Sequence, residues 1–186
     1  VFGASELNSD AQNDLGVCYV NGEGVEQDWE QAVYWYRKAA EQGQCVGQRN
    51  LSRCFYNGEG VSRSLEESIF WLRKSAEQGY ADAQNDLGVR YANGDGVEQN
   101  REQAVYWYRQ AAEQGHMYAQ YNLGTYYANG CGIPQSWDLA AYWFGLSAEQ
   151  GYAEAQRSLA DCYEKGRGVP KDLNRAAQLL RQANGR

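Results

Sequence analysis

Apolar positions in this chain follow a helical rhythm nested inside a longer one. With Leu15 as origin and about 100° per residue, Ala11, Gln12, Gly16, Cys18 and Tyr19 fall on its side of a helix and Asn13, Val17 and Val20 opposite. This predicts an amphipathic helix A over roughly residues 10–21. Asn21-Gly22 would mark a hairpin between alternating strands, but after a 3.6-residue pattern it reads as a helix end with glycine left-handed. A second helix, B, starts at the acceptor Asp28, with Gln31 three residues on as a capping box. It carries Ala32, Trp35, Tyr36, Ala39 and Ala40 on one face and ends at Gly43.

The longer rhythm has a period of 36: Leu15, Leu51, Leu87, Leu123 and Leu159 keep it. So do Gly22, Gly58, Gly94, Gly130 and Gly166; Gly24, Gly60, Gly96, Gly132 and Gly168; and Tyr19, Phe55, Tyr91, Tyr127 and Tyr163. Ser64, Asn100, Ser136 and Asp172 repeat the cap. The column Trp35, Trp71, Trp107, Trp143 ends in Leu179, which marks the fifth unit as a modified terminal one. Five helix-turn-helix units are therefore predicted, at about 10–45, 46–81, 82–117, 118–153 and 154–186, as one all-α array of ten helices folding as one body, with the leucine column buried. Residues 1–9 read as the remnant of a preceding unit or a cap, since Ala4 to Ser9 align loosely with Ala76 to Ala81. Gly16, Gly88 and Gly124, with Ala32, Ala104, Ala140 and Ala176, remove bulk where helices A and B cross.

The pattern A-x-x-x-L-G-x-x-Y-x-x-G-x-G-V, then A-x-x-W-x-x-x-A-A-x-x-G, is nearly complete over Ala83 to Gly115 and resembles the Sel-1-like repeat family, a relative of the tetratricopeptide repeat. The likeness runs from Asp10 to Ala183, with departures at Gly47, Ser52, Ala160 and Leu179. It implies a right-handed α-solenoid superhelix whose A helices line a concave face, with scaffold or adaptor roles. Bacterial members of the family often act at the cell envelope or on host proteins, an expectation that leans towards a periplasmic or secreted location.

Composition narrows the chemistry. The 24 acidic and 17 basic residues are interspersed, with net charge −7 and no Lys/Arg run to track phosphates, so nucleic acid is not the expected partner. No run approaches the roughly 18 apolar residues of a membrane span, mean hydropathy is −0.75, and direct membrane insertion is not expected. The chain starts at Val1 without a charged-then-apolar leader and reads as a mature form or an excised segment. A monomer is expected.

His116, the single histidine, sits in a loop column with Gln44, Tyr80 and Tyr152 and has no triad partner in register. No serine has a lysine three residues on. The G-x-G turns lack the third glycine and preceding strand of a phosphate loop, and carry no alternating carboxylates for calcium. Cys18, Cys54 and Cys162 share a helix A column, and with Cys45 and Cys131 make five, an odd count with no repeated pair; free thiols are expected. A Cys45–Cys54 bridge is disfavoured because both lie on one helix, half a turn out of phase. No catalytic residue, cofactor or metal site is expected. A protein-binding scaffold is the preferred reading, over an enzyme with a site hidden between repeats or a rigid spacer.

The helix A positions opposite the leucine stripe vary most between units. They are Asn13 and Val17; Arg49, Arg53 and Tyr56; Asn85 and Val89; Tyr118, Tyr121 and Thr125; Arg157 and Asp161. They are the expected groove for an extended or helical partner segment bearing acidic and apolar residues, since Arg and Tyr are enriched at interface anchors. Replacing Arg49 or Tyr121 is expected to weaken a partner while leaving stability nearly unchanged. An outer helix B stripe, Tyr34, Phe70, Tyr106 and Tyr142, is the alternative surface.

Overall fold

A computed structural model of the chain describes residues 8–185. Among the described residues there are ten α-helices and no strand: α1 Ser9–Asn21, α2 Trp29–Glu41, α3 Cys45–Asn57, α4 Leu65–Glu77, α5 Ala81–Asn93, α6 Arg101–Glu113, α7 Met117–Asn129, α8 Trp137–Glu149, α9 Ala153–Lys165 and α10 Leu173–Ala183. The chain divides into two compact units, Val1–Leu87 with Asp95–Glu98 and Gly88–Gly94 with Gln99–Arg186, the division falling inside α5. In the first, α1 packs on α2, α2 on α3 and α3 on α4; in the second, α6, α7, α8, α9 and α10 pack each on the next. The remnant expected at the N-terminus lies outside the described residues, apart from Asn8, which caps α1, and Ser9.

Leu51, Leu87 and Leu123 have no exposed surface and Leu159 is buried. Leu15 differs: it is half-buried, because no helix precedes α1 among the described residues to close over its face. The small column beside it follows its neighbour. A Cβ on Gly16 would stand 2.6 Å from the Tyr36 ring, one on Gly88 2.7 Å from Tyr108, and one on Gly124 2.7 Å from Phe144. Where the facing residue shrinks to Leu72 or Leu180, the small residue grows to Ser52 or Ala160. Ser52 then exchanges a 3.1 Å hydrogen bond with Ser68, satisfying both hydroxyls inside the core.

Helix B begins as expected: Asp28, Ser64, Asn100, Ser136 and Asp172 each accept from the backbone N–H three residues on. The reciprocal half of the capping box is replaced. The cap's own N–H donates to the carbonyl of Tyr19, Phe55, Tyr91, Tyr127 or Tyr163, tying the start of B to the last turn of A. Glu67, released from capping, accepts from Trp71 Nε1 at 3.2 Å. The end of A is closed by side chains reaching back, Gln27 to Val20 O, Arg63 to Tyr56 O, Gln99 to Ala92 O and Gln135 to Ala128 O.

A column of glutamines joins successive repeats. Gln48, Gln84, Gln120 and Gln156 are buried, and each donates to a carbonyl at the end of the preceding helix B, Ala40, Ala76, Ala112 or Ala148, at 3.1–3.2 Å. In three repeats the same position accepts from helix B of its own repeat: Gln42 to Gln12, Gln78 to Gln48 and Gln150 to Gln120. An unpaired buried amide costs about 1–3 kcal/mol, so the ladder imposes one register on the stacking.

Burial also pushes the Tyr36 phenol up to about 12, with Cys54 adding to the shift, and raises Tyr108 in the same direction. A raised acid keeps its proton longer in the folded state, so its contribution is whole below pH 10 and is lost as pH climbs towards 12. Chemical unfolding of the native chain and Tyr36→Phe as a function of pH should show a constant stability difference below that window and a shrinking one within it. A difference that grows there would contradict the assignment.

Candidate functional site

Of the five positions lying two residues before the leucine column, four are buried or half-buried. Asn13 and Asn85 are 6% and 9% exposed. Asn50 Nδ2 donates to Asn13 Oδ1 at 3.0 Å, and Arg49 Nε donates to Asp86 at 2.7 Å while its Nη1 lies 3.3 Å from Asp82. This column, in the first unit, is the seam between consecutive A helices. The helical wheel places it opposite the leucines, but α3 packs on α2, on α4 and, through this seam, on α1. Arg49 is therefore a structural cation, and its loss should lower stability, contrary to the expectation of neutrality. Tyr121 is also engaged: half-buried, its ring lies 5.8 Å from Phe144 and 5.1 Å from Tyr152. Only Arg157, in the last repeat, is exposed, with Glu154 at 2.7 Å as its partner.

Arg53 is exposed, and Val17, Tyr56, Val89, Thr125 and Asp161 are half-buried. Arg63 lies 5.8 Å over the Tyr56 ring, and Asp161 pairs with Lys165. Tyr118 is 50% exposed and stacks edge-on with Tyr152 at 5.2 Å.

In the second unit α7, α8 and α9 enclose a cleft of about 350 Å³. Tyr121, Thr125, Trp137 and Phe144 form its apolar wall, and Glu154, Arg157 and Asp161 its charged edge. The equivalent place in the first unit measures only about 40 Å³, lined by Val20, Trp29, Tyr36, Arg53 and Glu59. At the same repeat positions the second unit has Ala128 for Val20, Asp161 for Arg53 and Arg167 for Glu59. Arg167 lies 4.7 Å over the Trp137 ring instead of filling the opening. Trp137 and Phe144 belong to the cleft without having been singled out. The signal was a large residue directly after the helix B cap, at both Trp29 and Trp137.

The other chemistry is quiet. His116 caps α7, its Nδ1 accepting from Ala119 N at 3.2 Å. All five thiols are free; burial pushes Cys54 and Cys162 up to about 11, away from thiolate reactivity. Among the described residues no group of three or more His, Cys, Asp or Glu is placed to hold a metal ion, and no helix is long and apolar enough to cross a membrane.

The Sel1 repeat model matches residues 9–44, 46–80, 81–116, 118–152 and 153–184. Among solved structures the chain is similar to a protective antigen of uropathogenic Escherichia coli strains that displays an SLR fold, at 40% identity and TM-score 0.92, covering 95% of this chain and 38% of that one. It thus spans well under half of that antigen. It is also similar to a Sel1 repeat protein from Oxalobacter formigenes, at 39% identity and TM-score 0.90, covering 96% and 73%. An immunity protein from Pseudomonas aeruginosa, at 21% identity and TM-score 0.60 over 94% of this chain and 64% of that one, shares the fold alone. No curated protein matches. Sel1 repeat proteins are generally protein-interaction scaffolds. With the repeat matched five times along its length, the chain belongs to the Sel1 repeat family.

Proposed function

We propose that the chain is a non-catalytic scaffold that holds an extended or helical segment of another protein. The segment is anchored in the α7–α8–α9 cleft. The observation that carries this reading is the contrast between the two equivalent places, about 350 Å³ in one unit and about 40 Å³ in the other. Both are built on the same tryptophan and aromatic columns, so the larger one is open through specific side-chain choices. An aromatic wall with a charged edge suits an apolar anchor residue flanked by an acid that reaches Arg157. The exposed Arg157–Glu154 pair is worth little by itself and re-pairs at small cost.

The test uses the protein's own template. Ala128→Val, Asp161→Arg and Arg167→Glu together copy the first unit's residues into the second, each already tolerated at its repeat position. A partner captured with the native chain from source extract should lose at least about tenfold in affinity for the triple variant, roughly 1.4 kcal/mol. The melting temperature should stay close to native. Undiminished affinity would remove the cleft from the binding surface.

A further inference from the structure

Helix B carries an arginine two residues after its tryptophan in three of the first four repeats, Arg37, Arg73 and Arg109; in the fourth it is Gly145. Two of these arginines, Arg37 and Arg109, have a visible task. The Arg37 guanidinium lies 5.5 Å over the Phe55 ring, and Arg109 Nη2 donates to Tyr127 Oη at 3.0 Å, each reaching from one helix B to the aromatic column of the following helix A. The following repeat's tryptophan closes the same corner: Trp71 is buried in one cluster with Val33 and Phe55.

Between α8 and α10 both fillers are missing. Gly145 stands where the arginine would be and Leu179 where the tryptophan would be. What remains is a cleft of about 580 Å³ above Tyr163, the counterpart of Phe55 and Tyr127, with Tyr142 and Leu146 on its walls. Neither backbone nor packing requires the glycine. Gly145 lies inside α8 without positive φ, and a Cβ on it would meet nothing within 4 Å. A mid-helix glycine costs about 1 kcal/mol relative to alanine, so the open space is kept against local preference.

We infer that this cleft is a second docking socket, separate from the α7–α8–α9 cleft, which receives an arginine together with an aromatic residue from a basic peptide segment of a partner protein. The molecule supplies the template, since the same corner in other repeats is filled by a guanidinium on an aromatic ring and an indole beside it. Asp138 and Glu149 on the lining supply the complementary charge, on a chain of net charge −7. Arg175, on the α10 side, faces the same cleft and hydrogen-bonds Gln178. It disfavours a basic occupant less than the two carboxylates favour one.

The experiment titrates the full chain with an acetylated hexapeptide carrying one Arg and one Trp two residues apart, followed by calorimetry. Glu/Trp and Arg/Ala versions serve as comparators. The Arg/Trp peptide should bind saturably, and at least tenfold more tightly than either comparator. Gly145→Arg and Leu179→Trp should each weaken it at least tenfold and together abolish binding, while Leu179→Trp keeps or raises the melting temperature. The Ala128→Val/Asp161→Arg/Arg167→Glu variant should bind this peptide normally, which separates failure here from failure of the first cleft. Absence of saturable binding, equal binding of the Glu/Trp peptide, or indifference to the double variant overturns the proposal. So does a Leu179→Trp chain less stable than the native one, or self-association abolished by the double variant, which would make a second copy of this chain the occupant.

Discussion

Leu51→Ala is expected to lower the free energy of unfolding by about 2–5 kcal/mol. Leu51 has no exposed surface and lies in one cluster with Ala32, Val33, Tyr36, Phe55 and Trp71, residues from helices of two consecutive repeats. Truncation removes apolar contact and leaves a void that cannot collapse, because the aromatic rings around it are also held by the helix B start, tied to the Phe55 carbonyl at 2.9 Å. The same change at Leu15, half-buried at the chain's first helix, should cost clearly less. Denaturant titration of both variants measures the contrast, and equal losses would show that the column is not stabilised by stacking between repeats.

Gly60→Ala is the second large effect, expected at about 2–4 kcal/mol from the combined cost of a left-handed alanine and a forced contact. Gly60 has φ +67°, and a Cβ there would run into the backbone carbonyl of Trp29 at the start of the preceding helix B. Gly168 stands in the same relation to Trp137. Gly24 has a positive φ too, yet nothing lies within 4 Å of its added Cβ. Gly24→Ala should therefore show only the conformational cost of about 1–2 kcal/mol. Thermal unfolding of the two variants separates backbone strain from the close approach of repeats; identical shifts would deny that the second glycine makes an inter-repeat contact.

Much of the fold was legible because its main constraints act at fixed steps. A leucine facing a core every 36 residues, a left-handed glycine after each helix A and an acceptor before each helix B each have one physical meaning. The second glycine was legible as a turn and not as a contact, since its neighbour belongs to another repeat. The Gln12, Gln48, Gln84, Gln120, Gln156 column was visible five times over, but a polar residue beside the core stripe does not reveal that its amide spans two helices. The burial of Asn13 and the pairing of Arg49 were hidden for a related reason: the wheel knows one helix, while the seam they occupy is made by two. The clefts were hidden because they arise from what is small. Ala128, Gly145 and Leu179 matter through the bulk they lack, and that is readable only when the repeat-equivalent residue and its contact are both known.

The most direct test of the scaffold reading is site-specific photo-crosslinking from the edge of the α7–α8–α9 cleft. A benzophenone side chain is placed at Glu154, which is exposed at that edge, and in a separate protein at Glu113, which is exposed on α6. After irradiation in source extract, the attached peptides are sequenced by mass spectrometry. The expected result is a single partner segment crosslinked from position 154, absent from position 113, and lost when Ala128→Val, Asp161→Arg and Arg167→Glu close the cleft. Crosslinks that are equal from the two positions, or that survive closure of the cleft, would contradict it.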